Sequence, residues 1–393
     1  MPRTLYLSIY LPAFILAFCK GMLIPVLPLY ASSFGISYGL IGLILAGEAI
    51  GMLVGDLPAG TLLRRLDRKW VMLLGLSLLI VSVLALFWAQ TVWQLILFRF
   101  TAGIGTALWN ISRHAFITEV TRTEARGRSI ATLGGIFRLG SFAGPAVSGV
   151  VAASFGLKTP FLLYAGLAIV GALATAIFIK VSPQVSVRMA HGASNHLLEL
   201  LRVHRHTFLN AGLGQLLAQM IRAGRFVILP LYAANVLGLD VQAIGWIMSL
   251  SSLIDTLMFY PAGLLMDRLG RKYAIVPSFI VQGIGMALIP LAADFGMLLV
   301  AASVVGFGNG LGSGSMMTLG ADLAPKESLG EFLGVWRLIG DGGATGSPLA
   351  IGGLADALDL SVAPFVIAAF GLVAASVFAF RVPETLKRAG REH

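Results

Sequence analysis

The feature that most constrains this chain is a succession of apolar runs long enough to cross a lipid bilayer. They lie near residues 5–30, 38–63, 70–90, 93–119, 127–154, 159–182, 207–235, 241–266, 272–293, 297–322, 329–356 and 361–381. A helix needs about 17–25 apolar residues to span the hydrocarbon core, and lipid offers no partner to an unpaired backbone group. The expected fold class is therefore an all-α membrane protein with twelve transmembrane helices. Only 12% of the residues are charged, about half of what a soluble chain of this length carries. The first run follows Met1–Arg3 directly and is too long for the core of a cleavable signal, so it reads as the first membrane helix.

The net charge of +10 would point to nucleic acid if the basic residues clustered on a soluble surface. They do not. If both termini are cytoplasmic, most of the Lys and Arg residues fall in cytoplasmic segments, and Lys158 alone falls in an outer loop. The positive-inside rule then sets the orientation, and the expected location is the cell inner (cytoplasmic) membrane. The longest connection, 183–206, is polar and holds His191, His196, His204 and His206. Their spacing fits no standard metal site, and the segment reads as a cytoplasmic linker. Cys19 is the single cysteine, which excludes an internal disulfide.

The chain repeats itself. An offset of 203 maps Pro58-Ala59-Gly60 onto Pro261-Ala262-Gly263, Arg68-Lys69 onto Arg271-Lys272, Gly103 and Gly105 onto Gly306 and Gly308, and Pro145 onto Pro348. An offset of 202 maps Leu27–Ala31 onto Leu229–Ala233. Two pseudo-symmetric six-helix bundles follow: 1–182, then the linker 183–206, then 207–393. A parallel repeat suits transport, because two bundles can rock about a central site.

The segment Gly263-Leu-Leu-Met-Asp267-Arg268-Leu-Gly270-Arg271-Lys272 resembles the loop signature of the major facilitator superfamily. Leu95-x-x-x-Arg99-x-x-x-Gly103-x-Gly105 resembles that family's fourth-helix motif. Gly140-x-x-x-Gly144-Pro145-x-x-x-Gly149 resembles the fifth-helix motif of its proton-driven exporters, and Pro25-Val-Leu-Pro28 the first-helix motif of the same drug:proton antiporter group. One departure stands out: in the first copy of the loop signature Arg64 replaces the expected Asp and Asp67 the expected Gly.

Charges inside the membrane need a reason, since each costs about 2.5–3.5 kcal/mol on insertion scales. The spans contain Lys20, Arg99, Arg113, Arg138, Arg222, Arg225 and Arg337 against Glu48, Asp56, Asp255 and Asp341. The surplus of bases is what an anionic substrate would complete. Lys20 and Arg222 are repeat mates on the first and seventh helices, which by the resemblance line the central cavity. They are the leading substrate contacts, unless Lys20 is tied to Glu48. Arg225 shares a helix face with Arg222, and Arg138 and Asn110 are further candidates. Asn110 groups with Arg113 and His114, a cluster that fits substrate contact, packing or gating. Glu48 and Asp255 are candidate proton carriers, because a carboxyl in a low-dielectric interior can exchange protons near neutral pH; a static ion pair is the alternative. Asp341 is the repeat mate of Arg138 and follows Arg337 by four residues, which suits a helix-face ion pair. The resemblance links Arg99 with proton movement. It also implies a cytoplasmic gate built from the two loop signatures, with Arg64, Arg68, Asp267, Arg268 and Arg271 set against Arg128 and Glu331 at helix starts. Gly140, Gly144, Pro145 and Gly149 would serve close helix packing.

There is no H-E-x-x-H, G-x-S-x-G or P-loop lysine, so no enzyme, cofactor or metal is expected. The glycines of 306–314 fit no dinucleotide motif and read as a packing face. The expected partners are a small-molecule substrate, protons and the lipid bilayer, with the chain acting as a monomer. The leading function is proton-coupled efflux, by antiport, of a small organic anionic or amphipathic compound. An importer or exchanger of an organic anion is the alternative, and a receptor or enzyme without transport has no motif in its favour.

The departure in the loop signature yields a test. In the implied gate Asp267 would meet Arg128, and Arg64 would meet Glu331, a charge swap between the halves. Arg64→Glu alone is expected to slow transport, and adding Glu331→Arg to restore part of it; flux in vesicles decides, and a double variant no faster than the single one removes the pairing.

Overall fold

The computed structural model describes residues 6–120, 123–179 and 199–386, with side chains described outside 118–131. Every regular element among them is helical. The twelve long helices are α1 (Leu11–Ser32, preceded by a π-helical turn Tyr6–Tyr10), α2 (Tyr38–Arg65), α3 (Arg68–Leu86), α4 (Val92–Val120), α5 (Thr123–Phe155), α6 (Thr159–Phe178), α7 (Arg205–Asn235), α8 (Val241–Arg268), α9 (Lys272–Leu288), α10 (Phe295–Leu311), α11 (Leu329–Ala357) and α12 (Ala363–Phe380). Eleven spans are long and apolar enough to cross a membrane, the tenth counted from Phe295 to Leu323. α11 is the twelfth helix; its 29 residues are rich in glycine and carry Glu331, Arg337, Asp341 and Asp356, which lowers its apolar character.

Two compact units emerge: Met1–Arg188 with Ala233–Ser249, and Met189–Tyr232 with Leu250–His393. The division differs from the expected 1–182 and 207–393 in giving 233–249 to the first unit. Its reason is local. Gly245 and Gly149 lie so close that a Cβ on Gly245 would sit 3.0 Å from the Cα of Gly149. The Ser249 hydroxyl donates to Phe142 O at 2.6 Å and accepts from Ala146 N–H at 2.8 Å.

Within the first unit, glycines let backbones touch. A Cβ on Gly103 would lie 2.8 Å from the Cα of Gly51, bringing α4 against α2, and one on Gly105 would lie 2.6 Å from Gly75 O on α3. A Cβ on Gly140 or Gly144 would meet Phe18 N at 2.5 Å or Phe18 O at 2.5 Å, so the α5 motif packs on α1. The second unit repeats the scheme with hydroxyls added. Ser278, at the place of Gly75, donates to Gly308 O at 2.7 Å. Ser347, at the place of Gly144, donates to Met220 O at 2.7 Å. Ser251 donates to Ala302 O at 2.6 Å, tying α8 to α10. The repeat extends to buried tyrosines: Tyr30 OH donates to Leu86 O at 2.9 Å, and its mate Tyr232 OH donates to Pro290 O at 3.1 Å. Cys19 is buried against Tyr164 O on α6.

The fourth and tenth spans differ. α4 runs unbroken to Val120, whereas the tenth span stops at Leu311, turns through 312–314 and resumes as the short helix Ser315–Leu323. Gly314 has φ +76°, a conformation that glycine adopts without strain. The short helix is fastened to α11, where Trp336 Nε1 donates to Met316 O at 2.9 Å and a Cβ on Gly320 would meet the indole at 2.6 Å.

Replacing Gly103 by Val is expected to force α2 and α4 apart, at the roughly 1–3 kcal/mol or more that overpacking costs. Gly60→Ala, whose Cβ would meet nothing within 4 Å, is the matched control. The melting temperature of purified protein is expected to fall by several degrees in Gly103→Val and to hold in Gly60→Ala.

Candidate functional site

Among the described residues, each half holds one intramembrane carboxylate that is buried and paired with a base. In the first, Glu48 sits on α2 one residue after Gly47, whose close approach to Arg99 of α4 (a Cβ would lie 3.1 Å from that of Arg99) brings the acid within reach of the guanidinium. Arg99 Nη2 donates to Glu48 Oε2. Lys20 Nζ of α1 lies 3.5 Å from Glu48 Oε1, and Thr106 Oγ1 of α4, which donates to Ala102 O at 2.9 Å, stands 3.5 Å from the same oxygen. Glu48 thus serves two cations. Arg99 is inside, but the Lys20 side chain is 60% exposed, so its ammonium faces open space as well as the acid.

In the second half, Asp255 of α8 accepts from Arg225 Nη2 of α7 at 3.0 Å and from Asn309 Nδ2 of α10 at 2.7 Å. The Arg225 guanidinium also lies 4.5 Å from the Phe226 ring. Arg222, one turn earlier on α7, donates from Nη2 to Gly312 O at 2.8 Å, at the interruption of the tenth span, and its guanidinium stands 5.2 Å from the Phe279 ring.

Thr106 and Asn309 are repeat mates at the offset of 203, and both stand beside the carboxylate of their own half, Thr106 at 3.5 Å and Asn309 in a 2.7 Å hydrogen bond. Sequence reasoning passed over both. A polar residue at one register of the fourth and tenth helices was the available signal, hidden because Thr and Asn are unlike each other and neither is charged.

The remaining candidates separate. Asp341 pairs with Arg337 at 3.5 Å along α11, and both side chains are about half exposed. Asn110 and Arg138 are half-buried on α4 and α5. Arg64 is exposed and Arg68 half-buried at the turn between α2 and α3; Glu331 lies in the first turn of α11 and is half-buried. The side chain of Arg128 lies outside the described residues, as do His191 and His196 of the linker.

The loop signature of the second half forms a cluster. Arg271 donates from Nη1 to Asp267 Oδ1 at 3.0 Å and from Nε to Asp322 Oδ2 at 3.0 Å, while Arg268 is exposed. Glu384, beyond α12, accepts from the backbone N–H of Arg271 and of Lys272, each at 2.9 Å, and so caps α9. This arrangement explains one half of the departure. Gly270 has φ +129° and a Cβ there would lie 2.6 Å from Glu384 Oε2, so the distant carboxylate needs a glycine beside it. At the matching position Asp67 caps α3 itself, accepting from Lys69 N–H at 2.8 Å. A residue that brings its own cap replaces a glycine that admits a borrowed one. No sequence signal marked Glu384 or Asp322, because the contacts bridge more than fifty residues of chain.

The model of the Major Facilitator Superfamily matches residues 9–209 and 211–393. The chain belongs to that superfamily: it is a membrane transporter and not an enzyme. It is 24% identical over 368 residues to an uncharacterized MFS-type transporter of Methanocaldococcus jannaschii, covering 92% of this chain and 94% of that one. It is 25% identical to Multidrug resistance protein 2 of Bacillus subtilis over 70% of this chain and 69% of that one. It is 24% identical to a probable nitrate transporter, NarT, of Staphylococcus haemolyticus over 89% of each. The crystal structure of a point mutant of the nucleoside transporter NupG shares the fold with a TM-score of 0.78 at 16% identity, covering 95% of this chain and 99% of that one.

The α9 cap carries a pH dependence. Burial alone pushes the Glu384 carboxyl up, but the backbone N–H groups of Leu386, Lys272 and Arg271 outweigh it and hold it below the ordinary carboxylate value. A depressed folded value means stability that is present above the unfolded value, about 4.3, and lost as pH falls through the folded one. Melting curves at pH 7 and pH 4 are expected to differ less for Glu384→Gln than for the wild type. Equal differences would detach the cap from the acid response.

Proposed function

We propose that this transporter is a proton-coupled exporter of a small organic compound bearing a negative charge, working by antiport as a monomer in the cell inner membrane with both termini in the cytoplasm. The reading is supported most directly by the carboxylates of the two halves, each placed within a membrane-spanning helix and each beside a neutral polar side chain at the same repeat position, Thr106 or Asn309. A carboxylate so placed keeps a hydrogen-bond partner in either protonation state, since a hydroxyl or an amide can donate to the anion and accept from the acid. The bases at Lys20 and Arg222 are the contacts proposed for the negative end of the substrate, with Arg225, Arg138 and Asn110 as further contacts. Glu48 and Asp255 are the proposed proton carriers, assisted by Arg99 and by the Asp341 pair.

The direction of transport rests on the α5 motif and on the name of one relative, a multidrug resistance protein. A second reading has an observation of its own. Another relative is named a probable nitrate transporter, so import or exchange of an organic anion on the same fold is the alternative. Inside-out vesicles with an imposed pH gradient separate the two by the direction of net flux, after a thermal-shift screen has found a ligand.

Two outcomes are expected. Neutralising Lys20 or Arg222 to Gln weakens substrate binding by about 2–5 kcal/mol, as loss of one partner in a buried ionic contact does; wild-type affinity in both variants would refute these contacts. Asp255→Asn or Glu48→Gln abolishes accumulation against a gradient while downhill exchange persists. A variant that still concentrates substrate excludes that residue from proton coupling.

A further inference from the structure

The mechanism above leaves one buried cation of the first unit unused. Arg113 of α4 is 3% exposed, and its Nε and Nη1 are shut away from solvent with no hydrogen-bond partner. No carboxylate among the described residues neutralises it. Its Nη2 lies 3.5 Å from His114 Nε2, and its guanidinium carbon lies 5.1 Å from the ring centroid of Phe137 on α5. An ion left in this state costs several kcal/mol even after the protein relaxes, and the face of one aromatic ring returns about 0.5–2 kcal/mol of that.

The donor pattern indicates what would complete it. A guanidinium grips a carboxylate along an edge of two nitrogens, and each two-nitrogen edge of Arg113 includes one of the open donors, Nε or Nη1. The surroundings are flat and apolar on one side and open on another. Trp109, four residues earlier on the same helical face, is buried with its own Nε1–H unpartnered, and Phe137 covers the guanidinium. His114, next in the chain, is exposed, and Asn110 one turn before is half-buried.

We propose that Arg113 is the anchor of a binding subsite for an aromatic or similarly flat carboxylate, entered from the His114 side and covered in this conformation by Phe137. The carboxylate takes one edge of the guanidinium, and the ring of the ligand packs against Phe137. The inference rests on the reading of the chain as a carrier of organic anions and adds to it a second contact, distinct from Lys20 and Arg222. It is tested by binding alone.

The experiment uses the full-length protein in detergent, with benzoate as the probe, measured by calorimetric titration and by thermal shift. Wild-type protein is expected to bind benzoate saturably and to melt higher in its presence. Arg113→Met, close in length and uncharged, is expected to bind at least tenfold more weakly and to lose the benzoate shift, while melting no lower than wild type without ligand, because removing an uncompensated buried charge does not destabilise. Arg113→Lys keeps the charge but not the two-nitrogen edge, and is expected to bind severalfold more weakly; it carries the test if Arg113→Met does not fold. No saturable binding to wild type, or wild-type affinity in a folded Arg113 variant, overturns the proposal. Lys20→Gln is measured beside them. Benzoate affinity lost at Lys20 and kept at Arg113 would leave the anion-carrier reading standing and this subsite refuted.

Discussion

The first unit depends on backbone contact between α2 and α4. Gly51 and Gly103 set backbone against backbone and Gly47 leaves room for the Arg99 stem, so the helices approach until Glu48 and Arg99 meet. The order of cause matters. A salt bridge in hydrocarbon does not draw two helices together cheaply, because both ions must first leave water. Van der Waals packing of small residues brings the helices into contact, and the ion pair is then the least costly state for charges already committed to the interior. Lys20 joins the same acid from α1, so three helices converge on one carboxylate.

The second half keeps the scaffold and changes the attachments. Where the first uses glycine against backbone, the second often uses serine, whose hydroxyl donates to the facing carbonyl at Gly308, Met220 and Ala302. Serine adds one hydrogen bond at the cost of a little separation. The carboxylate also moves by one turn, from the position of Glu48 to that of Asp255, while its neutral partner stays in register at Thr106 and Asn309. Shorter Asp in place of Glu, and the partnership with Arg225 instead of a residue of the tenth span, go with that shift. The two halves share a frame without sharing a charge arrangement.

The helices were legible because a bilayer demands long apolar runs, and the repeat because glycine and proline tolerate few replacements. The boundaries of α2, α7 and α8 were read to within two residues for the same reason. Side-chain pairing was less legible. Lys20 with Glu48 was one of two open alternatives, and Arg225 with Asp255 was not foreseen, since helical spacing gives the face of a residue but not which neighbour it meets. The interruption at 312–314 was read as continuous helix: its glycines belong to the same series that packs α10 against α8 and α9, and nothing in composition separates a packing glycine from one with positive φ. The capping role of Glu384 was invisible, because a single carboxylate after the last helix has no periodicity to betray it.

The interruption has a mechanical consequence. Nine residues make too short a helix to hold its own shape, and the piece Ser315–Leu323 shares no continuous ladder with α10 above it. On α11 it is held by the indole N–H bond from Trp336 and the contact of Gly320 with the same ring, and near its end Asp322 accepts from Arg271 at the start of α9. Arg222 pins the carbonyl of Gly312 at the joint itself. As a piece of machinery, the end of the tenth span nearer Leu323 is therefore carried by α11 and by the Arg271 turn ahead of α9, and the glycine turn works as a universal joint with a guanidinium for its pin.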